Sequence, residues 1–124
     1  MGDVNHVIDI HSKSEFDTLI NSHRGVMVFC SAEWCGPCKA IYPFFHKHAG
    51  EYEEYGDWMK FVKVDTDEVP GLAEELGIRS IPVFFLFEGG EKTESLSGAN
   101  PPALKKIIDS AMERLKYELC DSDF

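Results

Sequence analysis

The sequence predicts an α/β domain built on a mixed five-stranded sheet flanked by four helices, in the order β-α-β-α-β-α-β-β-α. Three observations carry this prediction. Strand-like and helix-like segments alternate along the 124 residues, by their apolar periodicity. Segments 26–30 and 83–87 are almost entirely apolar, which is typical of central strands covered on both faces. Gly89 and Gly90 then mark a tight hairpin, so the last two strands are expected to pair antiparallel.

In the first half of the chain, the first strand is predicted over 4–10. Ser14 is expected to cap the helix that follows it. A longer helix from about residue 37 to residue 52 follows the apolar strand, and a third strand is predicted over 59–64. Pro43 is expected to kink the longer helix, because its ring displaces a backbone hydrogen bond.

In the second half, Pro70 opens a short helix that Gly77 closes. The Gly-Gly hairpin leads into a fifth strand over 92–97, and Asn100 is positioned to cap the last helix. Apolar residues at helical spacing predict its core stripe: Leu104, Ile107, Ile108, Ala111 and Leu115.

Composition favours a single acidic globular domain. Hydrophobic residues make up 44% of the chain, enough for a core without disulfide staples. The formal net charge of −10 opposes binding to nucleic acids and to anionic membranes. We expect one domain over residues 1–124, with its core at about 4–115 and a short acidic tail over 116–124, acting as a monomer.

The predicted location is the cytoplasm. No apolar run approaches the roughly 18 residues that span a bilayer. The N-terminal segment lacks the basic and then apolar pattern of a signal peptide. Among the cysteines, Cys30, Cys35, Cys38 and Cys120, one close pair occurs, which disfavours structural zinc and favours a redox-active dithiol.

The chemistry is expected at that pair, Cys35 and Cys38. Cys35 falls between a buried strand and a helix, where free backbone N–H groups and the helix dipole favour a thiolate, the nucleophile of disulfide exchange. Cys38 lies one helical turn later and faces it. The spacing predicts that Cys35 attacks a substrate disulfide and that Cys38 releases it. Two cysteines that merely pack are the alternative reading, which the motif at this junction disfavours.

Residues 34–38, Trp-Cys-Gly-Pro-Cys, resemble the thioredoxin active-site motif residue for residue. The flanking Ala32, Glu33, Lys39 and Pro43 agree with the family pattern as well. Similar segments also occur at 61–65, 77–82 and 87–90. The order of elements matches too, and the resemblance covers roughly residues 4–115.

The resemblance implies the thioredoxin fold and a protein-disulfide reductase that maintains cell redox homeostasis through electron transport. It implies that Pro82 is cis and lies against the dithiol, and that the backbone of Ile81 pairs with a bound substrate strand. Its implied substrate-docking rim comprises Trp34, Gly36, Pro37, Ile81, Pro82, Gly98 and Ala99.

The resemblance also implies partners. No cofactor would be bound, and thioredoxin reductase, a flavoprotein, would restore the Cys35–Cys38 dithiol with reducing equivalents from NADPH. The implied clients are oxidised proteins such as peroxiredoxins, ribonucleotide reductase and methionine sulfoxide reductase.

One position departs from the family pattern. Thioredoxins usually carry a buried aspartate six residues before the nucleophilic cysteine, as proton acceptor for the second cysteine, and this chain has Phe29 there. Some members pair it with a lysine at the position that Phe61 occupies here. The route by which Cys38 loses its proton is therefore open: water at the mouth of the groove, a carboxylate such as Glu33, or the departing Cys35 thiolate.

Two other functions compete with the reductase. A thioredoxin-like adaptor with incidental redox activity is left open by Phe29 and the tail, although the intact 34–38 motif favours the enzyme. A secretory oxidase or isomerase is disfavoured by Pro37 between the cysteines and by the missing signal peptide.

Four other residues receive structural interpretations. Cys30 is expected to be a small core residue. Cys120 is expected to be a surface thiol in the tail after the last helix, with regulatory oxidation or intermolecular pairing as the alternative. His46 and His48 are two residues apart on a helix, so they face different directions and predict no metal pair.

Overall fold

The computed structural model describes residues 6–52 and 59–121, with side chains as far as residue 116 in the last helix. The strands are β1 (Val7–Ile10), β2 (Gly25–Ser31), β3 (Met59–Asp65), β4 (Val83–Glu88) and β5 (Glu91–Ser97). The helices are α1 (Lys13–Ser22), α2 (Gly36–Glu51), α3 (Pro70–Glu75) and α4 (Pro101–Asp121). The predicted order of elements and the mixed five-stranded sheet are confirmed.

The sheet has the strand order β1-β3-β2-β4-β5. β1 and β2 both pair parallel with β3, whereas β4 runs antiparallel to β2 and β5 antiparallel to β4. Gly89 and Gly90 close the β4–β5 hairpin with φ of +62° and +84°, which the predicted two-residue turn requires. None of the described helices is long and apolar enough to cross a bilayer.

The sheet buries a different hydrophobic cluster on each face. The cluster under α2 and α4 is rich in aromatic rings and includes Cys35 and Cys38. The cluster under α1 and α3 is mostly aliphatic and includes Cys30. Because successive strand residues point to opposite faces, Phe29 belongs to the first cluster and its neighbour Cys30 to the second.

The start of α1 differs from the prediction. Ser12, rather than Ser14, is the N-cap, and its Oγ accepts a hydrogen bond from the Glu15 N–H at 3.1 Å. The helix therefore begins at Lys13, one residue before the predicted cap. Both serines are good capping residues, so the sequence pattern alone did not separate them.

The end of α4 also differs. The helix continues to Asp121, so most of the segment predicted as a tail is helical. Cys120 lies within this helix instead of after it, and its side chain is outside the described residues. No glycine or proline follows residue 115, so no residue there breaks the helix after the predicted core stripe ends. The predicted cap is confirmed, since Asn100 Oδ1 accepts a hydrogen bond from the Ala103 N–H at 3.2 Å.

Candidate active site

Cys35 lies at the N-terminus of α2, as the sequence predicts. It is the N-cap residue, and its Sγ accepts a hydrogen bond from the Cys38 N–H at 3.1 Å. The turn after β2 delivers it there, with the Cys35 N–H bonded to the Ala32 carbonyl at 3.1 Å. A free N–H group aimed at the sulfur and the positive end of the helix dipole both stabilise a thiolate.

Cys35 and Cys38 form a disulfide, with Cα atoms 5.3 Å apart. Both are buried, at 4% and 2% exposure. The residues around them are open: Gly36 and Pro37 are exposed, and Trp34 presents 71% of its surface. The dithiol is therefore shielded from bulk water beneath an accessible apolar surface against which a second protein can pack.

The exposed Trp34 ring is held in place from a distant part of the chain. Its Nε1 donates a hydrogen bond to Asp67 Oδ2 at 2.8 Å. Asp67 lies in the turn after β3, where its own N–H donates to Asp65 Oδ1 at 2.8 Å. Sequence reasoning missed Asp67, because its partner is 33 residues away and nothing in the local pattern connects the two.

The remaining predicted rim residues lie on two loops that meet. The peptide bond between Ile81 and Pro82 is cis, which confirms that part of the expectation. Ile81 packs against the cluster that contains both reactive cysteines. The Gly98 N–H donates to the Pro82 carbonyl at 2.9 Å, which joins the loop before β4 to the end of β5, with exposed Ala99 next to it. The docking role of these residues stays a prediction.

Phe29 fills the place of the family aspartate with an aromatic ring at 1% exposure. It stacks on Phe84, with centroids 4.9 Å apart and planes at 13°, and packs on Phe45 at 5.4 Å. Phe61 joins the same group through Phe45, at 5.5 Å. Phe45 contacts both Phe29 and Phe61, so it links these two rings. These four phenylalanine rings supply no group that accepts a proton, and the Tyr42 ring, which stacks on Phe29 at 6.0 Å, is the neighbour that carries a hydroxyl.

A cavity of about 350 Å³ borders Cys38 on its polar side. One wall is the sheet, where the register sets Phe29 opposite Lys63 and Ser31 opposite Asp65. The other wall is the first part of α2 and the turn before it: Ala32, Glu33, Lys39, Tyr42 and Pro43. Of the polar residues here, Glu33 was predicted as a possible proton acceptor and Lys39 only as a match to the family pattern. The register of β2 on β3, which brings Lys63 and Asp65 to the cavity, is not readable from either strand.

Two of the lining residues contact each other across the cavity. Lys63 Nζ lies 5.2 Å from the centroid of the Tyr42 ring, a cation–π contact. Burial raises the pKa of Tyr42, and the negative charge of Asp9 raises it further.

Cys30 is fully buried on the other face of β2, and burial raises the pKa of its thiol to about 12. It stays protonated at neutral pH, in agreement with its interpretation as a packing residue. His46 contacts the rings of His6 and Tyr42, whereas His48 is buried and hydrogen-bonds Glu51 at 2.9 Å. Among the described side chains, residues 6–52 and 59–116, no three His, Cys, Asp or Glu side chains are grouped to hold a metal ion.

Comparison with known proteins gives a consistent result. The Thioredoxin family matches residues 7–110. Thioredoxin 1 of Plasmodium falciparum is 41% identical over 100 residues, which cover 81% of this chain and 92% of that protein. Thioredoxin-2 of Pyricularia oryzae is 39% identical over 104 residues. That match covers 84% of this chain but 58% of the relative, so the chain spans little more than half of its length.

A solved structure is also similar. It concerns the thiol resolving mechanism in yeast mitochondrial 1-Cys peroxiredoxin via glutathione/thioredoxin systems. A chain in it superimposes with a TM-score of 0.78 at 31% identity, covering 86% of this chain and 99% of that one.

Proposed function

Because this chain belongs to the thioredoxin family and is a dithiol–disulfide oxidoreductase, we propose that it reduces disulfides in a range of client proteins, with Cys35 as nucleophile and Cys38 as resolving thiol. One observation carries the assignment of roles. Cys35 Sγ stands at the N-cap of α2 and accepts the Cys38 N–H, while Cys38 lies inside the first turn. The helix terminus therefore favours the thiolate at Cys35.

The reaction has two exchange steps. The Cys35 thiolate attacks one sulfur of the client disulfide, so that a Cys35–client bond forms and the client's own S–S bond breaks. The client's other sulfur leaves as a thiolate and takes up a proton. Cys38, once deprotonated, attacks Cys35 Sγ, forms the Cys35–Cys38 disulfide and releases the second client sulfur. Two electrons pass from the dithiol to the client.

The client docks on the rim formed by Trp34, Gly36, Pro37, Ile81, Pro82, Gly98 and Ala99. Three features support this. Trp34 is exposed yet fixed by Asp67, so it offers apolar area at little entropic cost. Nothing lies within 4 Å of where a Gly36 side chain would project, which leaves room for a client backbone. Ile81 lies two residues before β4, which begins at Val83, and this position of its backbone supports pairing with an extended client segment.

The electron source in this proposal is NADPH, through thioredoxin reductase, and the clients include peroxiredoxins, ribonucleotide reductase and methionine sulfoxide reductase. Similarity to a chain from a study of peroxiredoxin thiol resolution supports the first client class. We propose a monomer in the cytoplasm, where glutathione and thioredoxin systems keep thiols reduced. Cell fractionation and sedimentation would test the location and the oligomeric state.

Reduction of insulin by dithiothreitol tests the activity. The proposed function predicts that catalytic amounts of this protein accelerate precipitation of the insulin B chain, and that Cys35→Ser removes the acceleration. With NADPH and thioredoxin reductase in place of dithiothreitol, NADPH consumption should follow insulin reduction. Binding to client proteins without any acceleration would favour the adaptor instead.

A further inference from the structure

The second exchange step poses a problem that this chain must solve differently from relatives with a buried aspartate. Cys38 is 2% exposed, and burial among apolar groups disfavours a thiolate. On one side, the hydrocarbon rings of Phe29, Phe45 and Phe84 accept no proton. The cavity that borders Cys38 is the polar side, and its volume of about 350 Å³ has room for several waters.

Ser31 shows that this cavity is suited to water. The residue is 3% exposed and lines the cavity. Its carbonyl accepts the Thr66 N–H at 2.9 Å. Its hydroxyl oxygen is not a sealed, unsatisfied group, because no such buried oxygen occurs among the described residues. A hydroxyl on a cavity wall can donate to and accept from water. The Ser31 hydroxyl is therefore a hydrogen-bonding group for water in the cavity that Cys38 also lines.

Asp65 lies directly across the sheet from Ser31, at the end of β3. Its Oδ1 accepts the N–H of Asp67 at 2.8 Å and that of Glu68 at 3.3 Å. These two bonds fix the carboxylate at the cavity wall. Within the side chains that the structure describes, residues 6–52 and 59–116, no hydrogen bond engages Oδ2, so one oxygen remains available to water.

We propose that Asp65 accepts the Cys38 proton through water in this cavity, with the Ser31 hydroxyl as a link between them. The inference rests on the proposed function, because it concerns the second exchange step alone. It places the proton acceptor at the end of β3, on the opposite wall from Cys38, and leaves the position of Phe29 free for an aromatic side chain.

The proton and electron balance is simple. The Cys38 S–H bond breaks, and its proton passes to a cavity water as that water gives a proton to the Asp65 carboxylate. The Cys38 thiolate then attacks Cys35 Sγ, and the client sulfur leaves with the electron pair of the broken S–S bond. Asp65 afterwards loses its proton to bulk water. The relay itself is neither oxidised nor reduced.

Several charged groups face this cavity or its edge from the surrounding elements. They are Asp9 on β1, Lys63 on β3, Glu33 in the turn before α2, and Lys39 with the ionisable Tyr42 on α2. Glu33 is the competing acceptor, and the experiment separates it from Asp65.

A stopped-flow reaction of the reduced protein with neutral dithiodipyridine measures the two steps separately. Attack by Cys35 releases one thiopyridone at a rate proportional to reagent. Attack by Cys38 on the mixed disulfide releases a second at a rate independent of reagent. Asp65→Asn keeps an oxygen to accept the two turn N–H groups while removing the carboxylate. We expect the second phase to slow by about tenfold or more, with the first unchanged.

The pH profile is the readout that a structural role would not change. In the parent protein, the second-phase rate should be nearly constant across neutral pH, because the proton acceptor is part of the cavity wall and its supply does not depend on hydroxide. In Asp65→Asn the proton must leave to hydroxide, so the rate should rise about tenfold per pH unit. Asp65→Glu should restore the flat profile. Asp9→Asn, the same change on a neighbouring strand, should leave both phases as in the parent.

A flat profile in folded Asp65→Asn would overturn the inference, and so would a sloped profile in Glu33→Gln. If Asp65→Asn does not fold, Ser31→Ala serves instead, and an unchanged second phase there would overturn the relay. Failure of the parent's first phase would instead overturn the proposed function.

Discussion

Two buried cysteines lie on opposite sides of the sheet: Cys30, at 0% exposure, points from β2 toward one face, and Cys38, at 2% exposure, lies on α2, which packs on the other face. Cys30 sits among aliphatic side chains under α1 and α3, and burial raises the pKa of its thiol to about 12. Cys38 sits in the first turn of α2, beside a cavity with charged and hydroxyl-bearing walls. The contrast teaches that reactivity depends on the helix terminus and on nearby polar groups, and that burial does not determine it.

The largest loss of activity is expected when the nucleophile is removed. We expect Cys35→Ser to lower insulin reduction by about a thousandfold or more, because no other thiol in the cluster stands at a helix N-cap. The insulin assay under dithiothreitol checks this, after subtraction of the uncatalysed rate. Substantial activity left in Cys35→Ser would mean that a different thiol performs the first attack.

Phe29→Asp replaces a buried aromatic ring of the cluster around Cys38 with a carboxylate. Loss of the ring removes packing against Phe84 and Phe45, at a cost of about 3–5 kcal/mol, and the buried charge adds to it. In the fraction that stays folded, the carboxylate lies in the same buried cluster as Cys38 and can accept its proton, so decay of the mixed disulfide should accelerate. Urea unfolding and stopped-flow kinetics measure the two effects.

Phe29→Asn is the matched control for that variant. It loses the same ring without gaining an ionisable group, so it should be destabilised and should not accelerate decay. If folded Phe29→Asp decayed no faster than the parent across neutral pH, proton acceptance would not limit the second step.

The smallest effect is expected on the other face of β2. Cys30→Ala should lower stability by about 1 kcal/mol and leave insulin reduction unchanged, because this thiol only packs. Iodoacetamide should leave Cys30 unmodified in the native protein and modify it after unfolding, as mass spectrometry would show. Modification of native Cys30 at a rate close to that of Cys35 would contradict the claim that Cys30 only packs.

The same thiol gives a pH signature. Its pKa is 9.0 as a reference thiol and about 12 in the fold, so on alkaline titration the unfolded chain loses this proton first. Neutral Cys30 contributes its full stabilisation below pH 9.0, the pKa of the reference thiol. This stabilisation is lost as the pH rises from 9.0 to about 12, the pKa of Cys30 in the fold. The stability difference between the parent and Cys30→Ala, from urea unfolding, should therefore shrink with alkaline pH.

The sequence was informative where the signal is local. Apolar runs, the Gly-Gly hairpin and the strand–helix junction at residues 34–38 predicted the sheet, its order of elements and the place of the dithiol. The exact caps were less certain, because Ser12 and Ser14 are equally good candidates, and the length of α4 was underestimated because its polar continuation resembles a tail.

Features that join distant segments could not be predicted. The hydrogen bond from Trp34 to Asp67 crosses 33 residues, and the pairing of Ser31 with Asp65 depends on the register of β2 on β3. Strand register is set by the packing of whole elements, and neither strand's own pattern specifies it when the strand is apolar on both faces. The cavity beside Cys38 therefore became visible with the structure alone.

The central claim is that Cys35 attacks and Cys38 resolves, and trapping the mixed disulfide tests it most directly. Oxidised insulin is incubated with reduced Cys38→Ser and, in parallel, with reduced Cys35→Ser, and the adducts are mapped by mass spectrometry without reductant. The account predicts an insulin chain on Cys35 in Cys38→Ser and none on Cys38 in Cys35→Ser. An insulin chain held on Cys38 in comparable yield would contradict it.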